Sequence, residues 1–310
     1  MGQPLSRPRR LSSQQPRTPC PPPLLDSALP NGFRWLDGKG YKEDGNPAYP
    51  SINYSSANDI IHYLIRFVFQ ANHMIPLHEH LTRGIRVLDV GCKAGIWSIE
   101  MASNYAASKF TGCDMFDASS TPATGKLENV QFCVADTLKG LPFPNGSFDY
   151  VFQRLQARTF RVAEWPAVIE ELIRVTKPGG WIEVVDTDCL LYCGGPRTTE
   201  FHAKLHTMLR MRDIDPKIVS NLWRQFESSG MQNIVHDHRS IPVGWGPPIF
   251  GADSAQNTKN YFQSTKPMLT FTLGLNDDQY DTLMKEAAIE LDQYKTYWNI
   301  EFTYCQKPPS

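Results

Sequence analysis

The apolar positions of this chain form short strand-like runs that are separated by stretches with helical spacing. A β-branched run at residues 85–90 ends in glycines, and residues 95–105 then carry apolar side chains at helical spacing. Further strand-like runs lie at residues 110–114, 130–136, 148–152 and 181–186. Residues 165–173, between the last two runs, again have a helical pattern. Because strands that alternate with helices over short loops are typical of a parallel sheet covered on both faces, the pattern predicts an α/β core.

The last third of the chain has a different order of elements. The pattern predicts, in sequence, a helix at 215–229, a strand at 233–242, helices near 257–272 and 277–293, and a strand at 297–305. The final run alternates apolar and polar side chains, as a half-buried strand does. We therefore expect two further strands, with a helical insertion between them at about residues 243–293.

The N-terminal residues differ in composition from the core. Residues 1–32 hold eight prolines, four arginines and one acid, which predicts a disordered tail, because so little apolar surface cannot offset the entropy of ordering. The opening Met-Gly-x-x-x-Ser pattern fits N-myristoylation at Gly2 or is a chance match in a low-complexity tail. Residues 33–84 are expected to form a helical N-terminal cap, with an amphipathic helix at 59–69.

Composition narrows the classes of function. A formal net charge of −1 over 310 residues argues against a protein that binds nucleic acid by bulk electrostatics. No stretch approaches the ~20 consecutive apolar residues of a transmembrane segment. The seven cysteines are scattered and odd in number, which fits reduced thiols. The expected localisation is therefore cytoplasmic or nuclear.

The turn after the first core strand has the clearest chemical signal. Residues 89–95 read Asp-Val-Gly-Cys-Lys-Ala-Gly. Glycines at this point let backbone amides approach a ligand at the N-terminus of the following helix. The spacing is not the Gly-x-Gly-x-x-Gly of dinucleotide enzymes, and an acid lies at the end of the strand. A nicotinamide oxidoreductase is therefore a distant alternative.

This turn resembles motif I of the class I S-adenosylmethionine (SAM) methyltransferases, whose consensus is roughly Leu-Asp-Val-Gly-Cys-Gly-x-Gly. Residues 171–186 are also similar to the Glu-Leu-x-Arg-Val-x-Lys-Pro-Gly-Gly stretch of that family. The resemblance implies a SAM-binding domain at residues 85–310, in which the insertion at about residues 243–293 forms a lid over the active site. It also implies a Rossmann-like, seven-stranded methyltransferase sheet with an antiparallel last strand and helices on both faces. The expected reaction transfers a methyl group from SAM to a small metabolite or a protein.

Acids that close successive strands are the main candidates for binding the cofactor. Asp114 lies 19 residues after Gly95, near the spacing at which an acid meets ribose hydroxyls, although an ordinary loop aspartate is the alternative. In the family that this chain resembles, the acid at Asp136 accepts the adenine amino group, and the amide of Thr137 meets a ring nitrogen. The full predicted cofactor-binding set is Asp89, Gly91, Cys92, Gly95, Asp114, Met115, Asp136 and Thr137.

A narrower resemblance is to the fungal LaeA-like methyltransferases. Residues 49–50, residues 62–67 and the pair Gln153-Arg154 are similar to sequences of that group. In that group the N-terminal segment caps the cofactor cleft, and the end of the fourth strand faces the transferred methyl. Gln153 and Arg154 are therefore the predicted catalytic residues, and support of the adjoining loop is their alternative role. The chain departs from the group at Ile61, where those relatives usually carry glutamine.

Two sets of residues have the chemistry of metal ligands. His78 and His80 lie two residues apart, so that their side chains diverge and a surface position is favoured over a metal site. The second set is Cys189, Cys193, His202 and His206. Its counts resemble those of a zinc site, but the gap between the two pairs is shorter than the usual ~12 residues. We therefore expect no metal.

Lys93 is the main departure from motif I, whose middle position is commonly glycine. A long side chain there either crowds the cofactor or extends into solvent.

Two classes of function follow from the sequence. The first is a SAM-dependent methyltransferase. The second is a LaeA-like regulator of secondary metabolism that acts through protein partners, with weak or no catalysis. No sequence pattern identifies a general base.

Overall fold

The computed structural model describes residues 33–36, 39–42, 57–115, 118 and 127–309. The tail at 1–32, the Gly2 site and residues 49–50 lie outside these residues. The first described elements, β1 (Phe33–Leu36) and β2 (Lys39–Lys42), pair with each other in antiparallel register. The segment predicted as a helical cap therefore also contains a hairpin.

Seven strands of the described chain form one sheet. They are β3 (Arg86–Val90), β4 (Lys109–Asp114), β5 (Val130–Val134), β6 (Phe148–Arg154), β7 (Thr176–Asp186), β8 (Gln232–Pro242) and β9 (Tyr297–Gln306). The strand order is β5-β4-β3-β6-β7-β9-β8, and β9 runs antiparallel to both of its neighbours. The predicted Rossmann-like sheet with an antiparallel last strand is confirmed.

The helices connect these strands and cover the sheet. They are α1 (Ala57–Phe69), α2 (His78–Arg83), α3 (Ile96–Asn104), α4 (Trp165–Val175), α5 (Pro196–Arg210), α6 (Leu222–Ser228), α7 (Pro248–Leu273) and α8 (Asp277–Gln293). The predicted helix at 215–229 is instead a 3-10 turn at Pro216–Asn221 followed by α6. The helix predicted near residue 257 begins earlier, at Pro248, because proline is tolerated in the first helical turn.

The two faces of the sheet pack against different helices. One face, which we call the cleft face, packs against α1, α3, α5, α7 and α8, and the opposite face packs against α4 and α6. In β6, Phe152 belongs to the core of the cleft face and Val151 to the core of the opposite face. Since successive side chains of a strand alternate between faces, Arg154 lies on the cleft face and Gln153 on the opposite face.

Candidate functional site

The turn after β3 is fixed by hydrogen bonds to the neighbouring strand. The backbone amides of Gly91 and Cys92 donate to the carbonyl oxygen of Cys113, at 2.8 and 3.1 Å. Gly95 is the N-cap residue of α3 and has φ = 74°, in the left-handed region that favours glycine. A β-carbon on Gly95 would come within 2.4 Å of the Phe132 ring. Backbone conformation and packing therefore both require glycine at the N-terminus of α3.

Phe132 is a site residue that the sequence analysis did not identify. Its ring lies against Gly95 and also against Gly112 of β4, where an added β-carbon would be 2.6 Å from the ring. The two glycines together leave the space that this ring fills. An isolated glycine inside a strand is a signal for such a close approach, so Gly112 contained the missing information.

Lys93 has an unusual backbone conformation at the centre of the turn. Its φ is 54°, in the left-handed region, and its amide donates to Oδ2 of Asp114 at 2.9 Å. This bond brings the predicted ribose-binding acid to the turn. Burial lowers the pKa of the Lys93 amine to about 8, and the nearby Arg158 and Arg154 guanidinium groups act in the same direction. The protonated form of the Lys93 amine is therefore less favoured here than in water.

Asp89 lies at the end of β3 and is only 4 % exposed. Its Oδ2 atom accepts a hydrogen bond from Oγ of Ser98 in α3, at 2.7 Å. Burial raises the pKa of Asp89 to about 6, although the Ser98 hydroxyl and the charge of Arg154 favour the ionised form. The carboxylate is thus ionised at neutral pH and is held by one partner from the helix.

Asp89, Gly91 and Lys93 lie on the wall of a narrow cleft at the carboxyl ends of the parallel strands. Its lining consists of Ile61, Asp89, Gly91, Cys92, Lys93, Ala94, Ile96, Trp97, Arg154 and Leu155. The cleft volume is about 30 Å³, which is room for a few water molecules. A ligand the size of a nucleoside therefore requires the side chains of the turn or α1 to move outward.

The lining does not include five of the predicted cofactor residues, Gly95, Asp114, Met115, Asp136 and Thr137. Met115 directly follows β4. Asp136 begins a 3-10 turn and accepts the amide of Leu138 at 3.1 Å, and Lys139 forms an ion pair with it at 3.6 Å. Thr137 is the first residue of that turn. The structure therefore places Asp136 and Thr137 at the end of β5, beyond the walls of the narrow cleft.

The two predicted catalytic residues are in different environments. Arg154 lines the cleft, whereas Gln153 is fully buried on the opposite face. Neither the nitrogen nor the oxygen of the Gln153 amide has a hydrogen-bond partner in the described part of the chain. The structure therefore brings Arg154, and not Gln153, to the predicted cofactor-binding residues of the cleft.

A chain of polar contacts connects Arg154 to the N-terminal helix α1. Nη2 of Arg154 donates to Nδ1 of His62 at 3.1 Å, and Nε2 of His62 donates to Oε2 of Glu100 at 2.5 Å. Arg66 forms an ion pair with the second oxygen of Glu100, also at 2.5 Å. His62 is fully buried, and burial together with the charge of Arg154 lowers its pKa to about 4. The imidazole is therefore neutral at physiological pH.

Glu183 of β7 is a second buried polar group that the sequence analysis did not identify. It is fully buried and accepts hydrogen bonds from the amide of Met74 and the hydroxyl of Tyr150, both at 2.9 Å. The amide of Ile75 is a third donor, at 3.4 Å. Burial raises the pKa of Glu183 to about 7. This carboxyl group fixes the segment after α1 to the sheet.

The candidate metal ligands do not form a site in the described residues, where no group of three or more His, Cys, Asp or Glu side chains could hold an ion. His202 instead accepts a hydrogen bond from the amide of Leu191 at 3.4 Å.

Of the helices that the structure describes, none has the length and apolar character needed to cross a membrane.

Comparisons with known proteins agree with this geometry. Residues 87–180, less than a third of the chain, match the family model described as "Methyltransferase domain". The chain is 26% identical to "Methyltransferase pytC" of Aspergillus terreus, over 69% of this chain and 67% of that protein. It is 24% identical to "N-methyltransferase verN" of Clonostachys rogersoniana, over 72% and 79% of the two lengths. These matches support an enzyme of the methyltransferase class, while the narrower LaeA-like relationship stays a prediction.

A solved structure is similar to this chain at lower identity. It is the phosphoethanolamine N-methyltransferase 2 of Haemonchus contortus, in complex with phosphomonomethylethanolamine and S-adenosylhomocysteine. The identity is 18% and the TM-score 0.47, over 84% of this chain and 60% of that one. The present chain thus spans less than two thirds of the length of that protein.

Proposed function

We propose that this chain is a SAM-dependent methyltransferase whose cofactor binds at the turn after β3. The observation that supports this proposal most is the arrangement at one edge of the sheet. The glycine turn, the N-terminus of α3 and the acids Asp89 and Asp114 meet there. Ligands of open α/β sheets bind at the carboxyl ends of the parallel strands, where helix N-termini provide free amides.

The residues of this edge fit the parts of SAM. A carboxylate accepts two hydrogen bonds from a vicinal diol, so that Asp114 suits the ribose. Asp136 and the Thr137 amide suit the adenine edge, next to Met115. Gly91, Cys92 and Gly95 let the backbone approach the rest of the molecule. SAM supplies a methyl group that its sulfonium has already activated, so the residues of the chain contribute mainly by positioning.

The acceptor is proposed to be a small metabolite or a protein side chain that reaches the cleft from the side of α1 and Arg154. The insertion with α7 and α8 would cover this side as a lid, since α7 packs against α1. A cytoplasmic or nuclear location fits this role. Fold and cofactor do not choose the acceptor.

Binding of S-adenosylhomocysteine (SAH) to the purified full chain tests the proposal. At 100 times its Kd, a ligand stabilises the folded state by about 2.7 kcal/mol, which corresponds to a rise in Tm of about 5 °C. We expect this rise for the wild type and for Asp253→Ala, an exposed control on α7. Asp114→Ala should lose most of the rise in Tm with SAH. NADH should give the wild type no rise in Tm.

Two results would contradict this proposal. One is an unchanged Tm with SAH, and the other is an equal shift in Asp114→Ala. If SAH binds Lys93→Gly but not the wild type, the scaffold alternative is favoured, because Lys93 then blocks the cleft.

A further inference from the structure

Arg154 has more hydrogen-bond donors than its surroundings use. A guanidinium group has five N–H donors. Within the described chain, its side chain donates to Nδ1 of His62 and forms no ion pair with a carboxylate. Since a cation removed from water requires an opposite charge or hydrogen-bond acceptors, the free donors of this cleft-lining group suit an anion.

His62 holds the guanidinium through a fixed tautomer. Glu100 accepts a hydrogen bond from Nε2, so the proton of the neutral ring lies on Nε2 and Nδ1 is free to accept from Arg154. Arg66 holds Glu100 from the solvent side of α1. The charged groups that act on the ring are thus Arg154 from β6, Glu100 from α3 and Arg66 from α1 itself. Between them they keep the imidazole neutral and Arg154 directed at the cleft.

Asp89 provides the opposite charge in the same cleft. It lines the cleft together with Arg154, and its hydrogen bond to Ser98 leaves the other carboxylate oxygen available. The charge of Asp89 acts on Arg154 without direct contact between the two groups. A separated acid and base in one small cleft match the ammonium and carboxylate of an α-amino acid.

We propose that Arg154 binds the α-carboxylate of the amino-acid end of the cofactor, and that His62 is the positioning residue that holds the guanidinium there. The proposal rests on the proposed function, because SAM and SAH carry this amino-acid end. It gives Arg154 a role in cofactor binding in addition to its predicted position near the transferred methyl.

A pair of ligands isolates this contact. SAH and 5′-methylthioadenosine share the adenosine and the thioether sulfur, but only SAH has the amino and carboxylate groups. Arg154→Met removes the charge and keeps an apolar side chain. Loss of a charge-assisted hydrogen bond should weaken SAH binding about 10- to 100-fold in calorimetric titrations. The affinity for 5′-methylthioadenosine should change by less than about twofold.

Variants of His62 test the positioning role. His62→Leu should weaken SAH about fivefold, because the guanidinium loses its acceptor. His62→Asn should keep most of the wild-type affinity for SAH, since its Oδ1 atom occupies the place of Nδ1 and accepts from Arg154. His80→Asn, on the exposed surface of α2, is the matched control and should bind both ligands as the wild type does.

The outcomes are distinguishable. An equal loss for both ligands in Arg154→Met or His62→Leu shows a structural role and overturns the inference, as does unchanged SAH binding. If the wild type binds neither ligand, the proposed function fails and the inference fails with it. Affinity for 5′-methylthioadenosine also reports whether each variant is folded, and Arg154→Lys, which keeps the charge, should give an intermediate loss for SAH alone.

Discussion

Gln153 and Arg154 are neighbours in β6, yet their side chains lie on opposite faces of the sheet. The Arg154 side chain meets a buried histidine and a cleft with an acid on its wall. The Gln153 side chain lies on the face packed against α4 and α6, where its amide has no hydrogen-bond partner among the described residues. One step along a strand thus separates a polar, connected environment from an apolar one.

The difference between the faces shows how the N-terminal segment contributes to the site. On the cleft face, His62 of α1 holds Arg154, and Glu183 holds the backbone after α1. The opposite face consists mainly of apolar contacts between the sheet and α4 and α6. Helix α1 is therefore part of the site, whereas the helices of the opposite face stabilise the sheet that carries it.

Among the changes that test this difference between the two faces, removal of the Glu183 carboxyl group should have the largest effect on the free energy of unfolding. Glu183→Ala leaves the amides of Met74 and Ile75 and the Tyr150 hydroxyl without their acceptor, so we expect a loss of about 3–5 kcal/mol in the free energy of unfolding. Glu183→Gln keeps an acceptor and should lose less than about 1 kcal/mol. Urea unfolding at pH 7 measures both. Equal losses would show that hydrogen bonding by Glu183 does not hold the segment.

Protonation of His62 at low pH should destabilise the folded protein on the cleft face. The folded pKa of His62 is about 4, below the ordinary value of 6.5. The unfolded chain therefore binds this proton more tightly, and stability that is present above pH 6.5 is lost as the pH falls toward 4. Between pH 7.5 and pH 5, His62 should contribute a loss of about 2 kcal/mol.

His62→Asn removes this contribution, so its unfolding free energy should depend less on pH than that of the wild type. His80→Asn should keep the slope of the wild type. Parallel curves for the wild type and His62→Asn would mean that the buried imidazole is already charged in the folded protein.

A smaller effect, on the affinity for SAH, is expected when Lys93 is replaced by glycine. Lys93→Gly relieves a left-handed backbone strain of about 1 kcal/mol and widens the cleft, so we expect SAH to bind about 3- to 10-fold more tightly. Lys295→Gly is the matched control, because Lys295 has φ = 55° and lies outside the cleft lining. Calorimetric titration measures both. Weaker binding in Lys93→Gly would instead make the amine a cofactor ligand.

The smallest expected effect is at Gln153. Gln153→Met replaces an amide that lacks partners by an apolar group of similar shape, and should raise the unfolding free energy by about 1 kcal/mol. The midpoint of urea unfolding reports this gain. A clear loss of stability would mean that the Gln153 amide is bound in solution and that the opposite face is less apolar than its packing indicates.

The sequence predicts the sheet well because most core strands are short runs rich in apolar side chains that end in turn-forming or charged residues. The turn at 89–95 similarly identifies Asp89, Gly91 and Cys92 as residues of one cleft. The sequence does not reveal the contact between His62 and Arg154, because these residues are 92 positions apart and meet only after α1 packs on the sheet. Phe132 and Glu183 were missed for the same reason, since single residues in strands become informative only through their neighbours.

The most direct test of the account is hydrogen–deuterium exchange of the full chain with and without saturating SAH. We expect slower exchange in peptides that cover residues 89–98, with smaller protection at the ends of β4 and β5 and in α1. Peptides of α4 and α6 should exchange as in the free protein. Protection that is confined to other segments, such as α4 and α6, or no protection at residues 89–98 despite binding, would contradict a cofactor site at the turn after β3.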